Sequence, residues 1–143
     1  MRVVLDSNCL VAAAMPWHVH HMATVAELSR RRAARDVFVI PAHSLFEAYS
    51  VMTRLPPPHR ISPADALTIL DRNWAREESI ALTPSESWRA LRQYAAAGVA
   101  GGRIHDGEIA DCARKAKADE ILTWNVRHFE RLSSVRAVSP AGV

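Results

Sequence analysis

Apolar runs of strand length alternate along this chain with longer segments of helical periodicity. Strands are predicted at Val3–Leu5, Val37–Ile40, Ser79–Leu82, Ile121–Thr123 and Val135–Val138. Helices are predicted at Asn8–Met15, His20–Ala34, Ala42–Leu55, Pro63–Arg76, Pro84–Ala97 and Ile104–Lys117. The breaks are chemically marked. "LPPPHR" stops one helix, because proline lacks the N–H donor and disfavours helix in the residue before it. "ISPADA" and "LTPSES" offer Ser62 and Thr83 as N-caps, each followed by proline at the first helical position. "AGVAGG" ends another helix on glycine. Short strands that are apolar throughout, joined by helical crossovers, predict an α/β fold: a mainly parallel central sheet flanked by helices, in a single domain spanning residues 1–143.

Within that pattern "RVVLDSNCLVAA" is anomalous. An apolar strand stops on Asp6, Ser7 and Asn8, three polar residues at the place where the chain leaves the core. In open parallel sheets the functional crevice forms outside the carboxyl ends of the strands, and Asp6 stands there. A helix N-cap is the simpler use of the same carboxylate. In "AHSLFEAYSVMTRL", Leu45, Ala48, Tyr49, Met52 and Leu55 form an apolar stripe, which leaves Glu47 on the opposite face with His43, Ser50 and Arg54, either solvated or lining the crevice.

Two further positions extend the pattern. In "RIHDGEIADCARKA", Asp106 flanks the apolar face of a helix while Asp111 and Lys115 point away from it. A carboxylate beside a buried face is costly without compensation, which the first helical turn or a bound cation would supply. In "ILTWNVRHF", Asn125 sits where a strand turns into a short helix, a second N-cap position. Carboxylates gathered in one crevice repel one another unless they hold protons or a hard cation, and oxygen-only ligands suit Mg²⁺ or Mn²⁺. Such a cation positions water against a phosphodiester.

At these residues the chain resembles the PIN-domain family, in particular the VapC-type ribonuclease toxins of bacterial toxin–antitoxin pairs. "VVLDSNCLVAA", "SLFEAYSVMTRL" and "GGRIHDGEIADCARKAKADEILTWNVRHF" match its motifs in order, across nearly the whole chain. The resemblance implies a PIN-like three-layer sandwich. It places the family's acidic roles on Asp6, Glu47 and Asp106, with Thr123 and Asn125 in the closing motif and Ser7 and Asn8 supporting the first. It implies metal-dependent cleavage of RNA, a Mg²⁺ or Mn²⁺ cofactor, a cognate antitoxin and a homodimer. Asn125 departs from the family, many of whose members carry aspartate there.

Composition changes this picture little. A net charge of +3 over 143 residues permits a polyanionic partner without requiring one. Arg103, His105, Arg127 and His128 neighbour the acidic positions and are candidates for RNA contact, whereas "RRRAAR" at Arg30–Arg35 reads as a solvated helix end or, alternatively, as a source of non-specific attraction for phosphate. His18, His20 and His21 lack the spacing of a zinc half-site and read as a loop leading into a helix. Cys9 and Cys112 read as buried, unpaired thiols; Trp74 and Trp88 as helix-face packing; Trp124 as packing or a base-stacking surface. No apolar run approaches the ~20 residues of a membrane span and no leader is evident, so a cytoplasmic protein is expected. Met52, Leu55 and the prolines after them are expected to offer an exposed apolar surface to a partner. Two rival functions use the same residues. A phosphohydrolase with Asp6 as nucleophile lacks the second aspartate at +2. A PIN fold without a full acidic set would instead bind RNA or protein.

Overall fold

The computed structural model describes residues 1–142. In chain order the elements are β1 (Arg2–Leu5), α1 (Ser7–Ala14), α2 (His21–Ala33), β2 (Val37–Pro41), α3 (Ala42–Arg54) and α4 (Pro63–Trp74). There follow β3 (Glu78–Ile80), α5 (Pro84–Ala96), α6 (Arg103–Lys115), β4 (Glu120–Leu122), α7 (Val126–Phe129) and β5 (Arg136–Val138). Every strand pairs in parallel, in the order β3-β2-β1-β4-β5. The chain builds outward from β1 through β2 to β3, then crosses back to lay β4 on the other side of β1. The strand order therefore reverses between β1 and β4, and a crevice opens at their carboxyl ends.

Both faces of the sheet are covered, which is why its strands read as continuous apolar runs. Val3, Leu5, Phe38, Ile40 and Leu122 point to one side and pack with α1, α2, α3 and α4 through Leu10, Leu28, Met52, Leu70 and Trp74. Val4, Val39 and Ile121 point to the other and meet Ile109, Ala113 and Ala116 of the α6 segment, with Phe129 of α7. α5 packs outside α6. Ser62 and Thr83 cap α4 and α5 as expected, accepting from the backbone N–H of Asp65 and Glu86 at 3.1 and 3.2 Å. Cys9 and Cys112 are buried and unpaired. No helix among the described residues is long and apolar enough to cross a membrane.

Several expectations need correction. β3 starts one residue early and omits Ala81 and Leu82, because its register with β2 ends at Pro41↔Ile80, where β2 gives way to α3. β4 begins on Glu120, an unpromising strand residue that pairs with Val3 and is neutralised from the side by Arg31. Arg31 is not part of a solvated helix end. It is 4% exposed and bonded to Glu27, Asp36 and Glu120, while Arg32 lies over the Phe38 and Trp74 rings. Met52 is fully buried and Leu55 packs against the same cluster, so these two do not form an exposed apolar surface. Trp88, expected to pack, is 61% exposed, and Tyr49 lies at the exposed margin of its stripe. Asp111, expected to point away from the core, is buried: the segment before α6 brings Tyr94 of α5 over that face.

Candidate active site

Asp6 ends β1 and caps α1, so the cap and the crevice are one position. Its backbone N–H donates to Leu122 O at 3.1 Å, fastening it to the end of β4 across the point where strand order reverses. Oδ1 accepts from the Ser7 N–H at 2.7 Å. Oδ2 accepts from the Thr123 hydroxyl at 2.6 Å and from Asn8 Nδ2 at 3.0 Å. Asn8 also donates to Thr123 Oγ1 and accepts from the Trp124 N–H, at 3.2 Å each, so it binds β4's exit to the start of α1. Thr123 Oγ1 accepts in addition from the Asn125 N–H at 3.0 Å. Ser7, Asn8 and Thr123 thus form a fixed cradle around one carboxylate.

The charge inside that cradle is strained. Burial pushes the Asp6 carboxyl above its usual range, and the negative charges of Asp106 and Glu47 add to the rise against the Thr123 and Ser7 hydrogen bonds. Asp106, in the first turn of α6, is likewise raised by burial, with His128 opposing and Glu47 adding. Asp106 caps nothing: no backbone N–H among the described residues donates to it, and its one close partner is His128 Nδ1 at 3.3 Å. Glu47, reaching in from α3, is held below its usual range, chiefly by a 3.0 Å hydrogen bond with His43 Nε2 and further by the Ser7 hydroxyl. α3 is itself pinned to the site by Ser44, whose hydroxyl donates to Leu5 O at 3.1 Å.

The remaining candidates sit around this group. His105 is exposed and stacks on His43 with ring centroids 4.8 Å apart. Arg103, Arg127 and His128 are exposed at the starts of α6 and α7. Asn125 occupies the N-cap position of α7, yet its side chain makes no capping bond and is exposed. Trp124 stacks on His20 at 3.7 Å and donates to Thr24 Oγ1 at 3.0 Å, so its ring is engaged in packing. The His18–His21 stretch forms a turn into α2, with His21 Nδ1 2.8 Å from Ala12 O. His43, which the sequence places on the same face as Glu47 without a role, and Glu108, which it does not single out, pair at 3.1 Å beside Glu47. The helical spacing of His43 and Glu47 was a usable signal for the first of them.

Residues 3–134 match the PIN domain. The chain belongs to the PIN-domain family. Among curated relatives it is 36% identical over 132 residues to Ribonuclease VapC40 of Mycobacterium tuberculosis, covering 92% of each chain. It is 30% identical over 126 residues to Ribonuclease VapC27 of the same organism, covering 87% of this chain and 85% of that one. Its fold is similar to that in the crystal structure of VapBC2 from Rickettsia felis bound to a DNA fragment from their promoter. That match has a TM-score of 0.71 at 19% identity and covers 97% of this chain and 98% of that one. The PIN-like three-layer sandwich expected from the sequence is the fold observed.

Proposed function

We propose that this protein is a VapC-type toxin: an endoribonuclease that cleaves RNA phosphodiester bonds with a divalent cation held by Asp6, Glu47 and Asp106, and that a cognate antitoxin neutralises. One observation carries the reading. At the point where the sheet's strand order reverses, Asp6 is buried and its ionised form is disfavoured by both Asp106 and Glu47. Negative charge of this kind, disfavoured by burial and only partly offset by the hydrogen bonds around Asp6, fits Mg²⁺ or Mn²⁺, which take oxygen ligands. Bound there, such an ion supplies Lewis-acid chemistry for phosphodiester hydrolysis.

The chain's own residues would divide the remaining work. Thr123, Asn8 and the Ser7 N–H hold the Asp6 carboxylate in one orientation. His128 partners Asp106, and the exposed Arg103 and Arg127 give the rim positive charge that offsets the repulsion between acidic site and RNA. Relatives bearing the name ribonuclease support the substrate class, and similarity to a VapBC structure supports an antitoxin partner. A partner would find its apolar contacts away from Met52: Val19 and Met22 at α2, Phe46 on α3 and Trp88 on α5 are each more than half exposed.

The test is cleavage of a mixed RNA pool by the purified protein, freed of its antitoxin, with and without Mg²⁺ or Mn²⁺. Divalent-dependent cleavage that Asp6→Asn abolishes is expected. RNA binding without cleavage at any divalent concentration would replace this reading with that of a binding module.

A further inference from the structure

A second group of metal-ligand type stands next to the carboxylates and differs from them in chemistry. His43 of α3 and His105 and Glu108 of α6 each offer one ligand atom, and these atoms all lie within 4.8 Å of one another. No other three histidine, cysteine or acidic side chains among the described residues offer ligand atoms this close together, the Asp6, Glu47 and Asp106 carboxylates included. We infer that His43, His105 and Glu108 form a site for a transition-metal ion of the Zn²⁺ class, with ligands of its own and joined to the carboxylate cluster through the His43–Glu47 hydrogen bond.

Three features support a site rather than a chance gathering. The first is placement. His105 and Glu108 are one helical turn apart on α6, and His43 faces them from α3, in helices anchored by Ile109 and Ala113 and by Ala48 and Met52. Bonds of about 2.0–2.2 Å to a tetrahedral ion require ligand atoms roughly 3.4 Å apart. The present spacing therefore needs shifts of about 1 Å or less per ligand, and the stacked His105 ring must also turn so that its in-plane lone pair converges with that of His43, movements open to exposed His105 and to Glu108, whose side chain is 41% exposed.

The second is the hydrogen bond behind the ligand. Ligating histidines nearly always give their other ring N–H to a carboxylate, which fixes the tautomer. His43 Nε2 already has that partner in Glu47 Oε2 at 3.0 Å, leaving Nδ1 directed at Glu108 Oε2, 3.1 Å away. An ion seated between that Nδ1 and Oε2 would replace their direct contact, and any proton displaced from the imidazole would leave to solvent.

The third is selectivity. Two imidazoles and one carboxylate suit Zn²⁺, Co²⁺ or Ni²⁺, whereas Mg²⁺ takes oxygen ligands and would choose the neighbouring Asp6 and Asp106. A set of three protein ligands leaves a coordination position open. Beside it, His105 and Glu108 form part of the wall of a cavity of about 280 Å³ between α5 and α6, otherwise lined mainly by Ala90, Leu91, Tyr94 and Ile104. The inference does not depend on whether the protein cleaves RNA.

The experiment uses full-length protein stripped with chelator and desalted. Co²⁺ is titrated while its visible absorption is followed, and Zn²⁺ affinity is then measured by calorimetry. Expected are one equivalent of Co²⁺ with the intense visible bands of a four- or five-coordinate ion, and Zn²⁺ that displaces it. Glu108→Gln, at a half-exposed position that folding does not require, should weaken Zn²⁺ binding by on the order of 10–100-fold or more. His105→Ala should do the same, and circular dichroism checks that both variants are folded. Asp106→Asn should leave Zn²⁺ affinity unchanged. Absence of the cobalt bands, or Zn²⁺ binding that survives Glu108→Gln and disappears with Asp106→Asn, would overturn the inference.

Discussion

The Thr123 hydroxyl donates to Asp6 Oδ2 across 2.6 Å, joining the last residue of the β4 exit to the first residue beyond β1, 117 positions away in sequence. Both groups are buried, so neither has water as a substitute partner. Thr123→Val keeps the shape and removes the donor. Hydrogen bonds to charged groups contribute about 1.5–3 kcal/mol, and a loss in that range is expected in urea unfolding. Because this bond lowers the Asp6 pKa, its removal should also shift the acid limb of the RNA cleavage profile to higher pH. A stability loss with an unmoved acid limb would make Thr123 a structural residue only.

Asp106 yields a prediction with the opposite sign for stability. Its pKa is raised in the folded protein, mainly by burial and further by Glu47. A carboxyl raised on folding binds more protons in the native state than in the unfolded one. Its ionised form therefore penalises the fold, a cost absent below the unfolded pKa, growing as pH rises, and complete above the folded pKa. In chelator, Asp106→Asn should unfold at a temperature about 2–4 °C above the wild type at neutral pH, a gap that closes as pH falls towards about 4. The same variant should cleave no RNA. Thermal melts of both proteins from acid to neutral pH check this, and the difference between them cancels the other titrating groups. A variant less stable than the wild type at neutral pH would mean that the carboxylate is compensated without a cation.

Arg31 anchors the opposite end of the sheet, where β1, β2 and β4 begin. Its guanidinium meets Glu27 at 2.6 Å, Glu120 at 2.6 Å and Asp36 at 3.3 Å, and Asp36 also holds the amino terminus at 2.9 Å. Removing one partner of a buried ionic group leaves the others uncompensated, at about 3–5 kcal/mol. Arg31→Ala should lose that much in denaturant titration and leave RNA affinity unchanged once folded. Arg103→Ala should do the reverse. A loss of RNA affinity on Arg31→Ala without a change in stability would return the arginine run to a phosphate-binding role.

The same arginine marks the limit of sequence reading. The sheet was legible because buried parallel strands are apolar on both faces, and Val3–Leu5 and Val37–Ile40 show this without any partner in view. Asp6 was legible because a polar stop after such a strand has few uses. Arg31, Glu120 and Asp111 were not, because a charge looks the same in sequence whether it faces water or a counter-charge brought in by another element. Met52 failed for a related reason: proline ends the helix after it, but α4 folds back to cover its face. The pairing of His43 with Glu108 was not legible because the two meet only when α3 and α6 are placed side by side.

Gly107 follows Asp106 and lies directly under Tyr94. A Cβ there would stand 2.8 Å from the Tyr94 ring, whose hydroxyl donates to Gly107 O at 2.9 Å. The ring cannot retreat without breaking that bond, in a buried setting that pushes the phenol up to about 12, with the Asp111 charge adding to the rise. Gly107→Ala should cost about 1–3 kcal/mol, as overpacking does. Pairing it with Tyr94→Leu should recover part of the loss, a coupling that a double-mutant cycle in urea measures. Purely additive costs would show that the strain is taken up elsewhere.

Asn125 separates a cap from a ligand. Its side chain makes no capping bond to α7, and it is exposed next to Thr123, whose hydroxyl fixes both the Asn125 N–H and the Asp6 carboxylate. Asn125→Asp and Asn125→Ser should therefore each leave stability within about 0.5 kcal/mol, the usual range for a surface change. Their effects on cleavage should diverge. Aspartate adds a fourth negative charge beside Asp6 and Asp106, so less Mg²⁺ or Mn²⁺ should be needed for half-maximal cleavage. Serine shortens the reach and removes the amide oxygen, so more should be needed. The opposite shifts come from charge and reach alone, because the cap contributes nothing that either variant loses. Metal titrations of cleavage for the three proteins, with melts alongside, test this, and identical metal dependence in all three would remove Asn125 from the site.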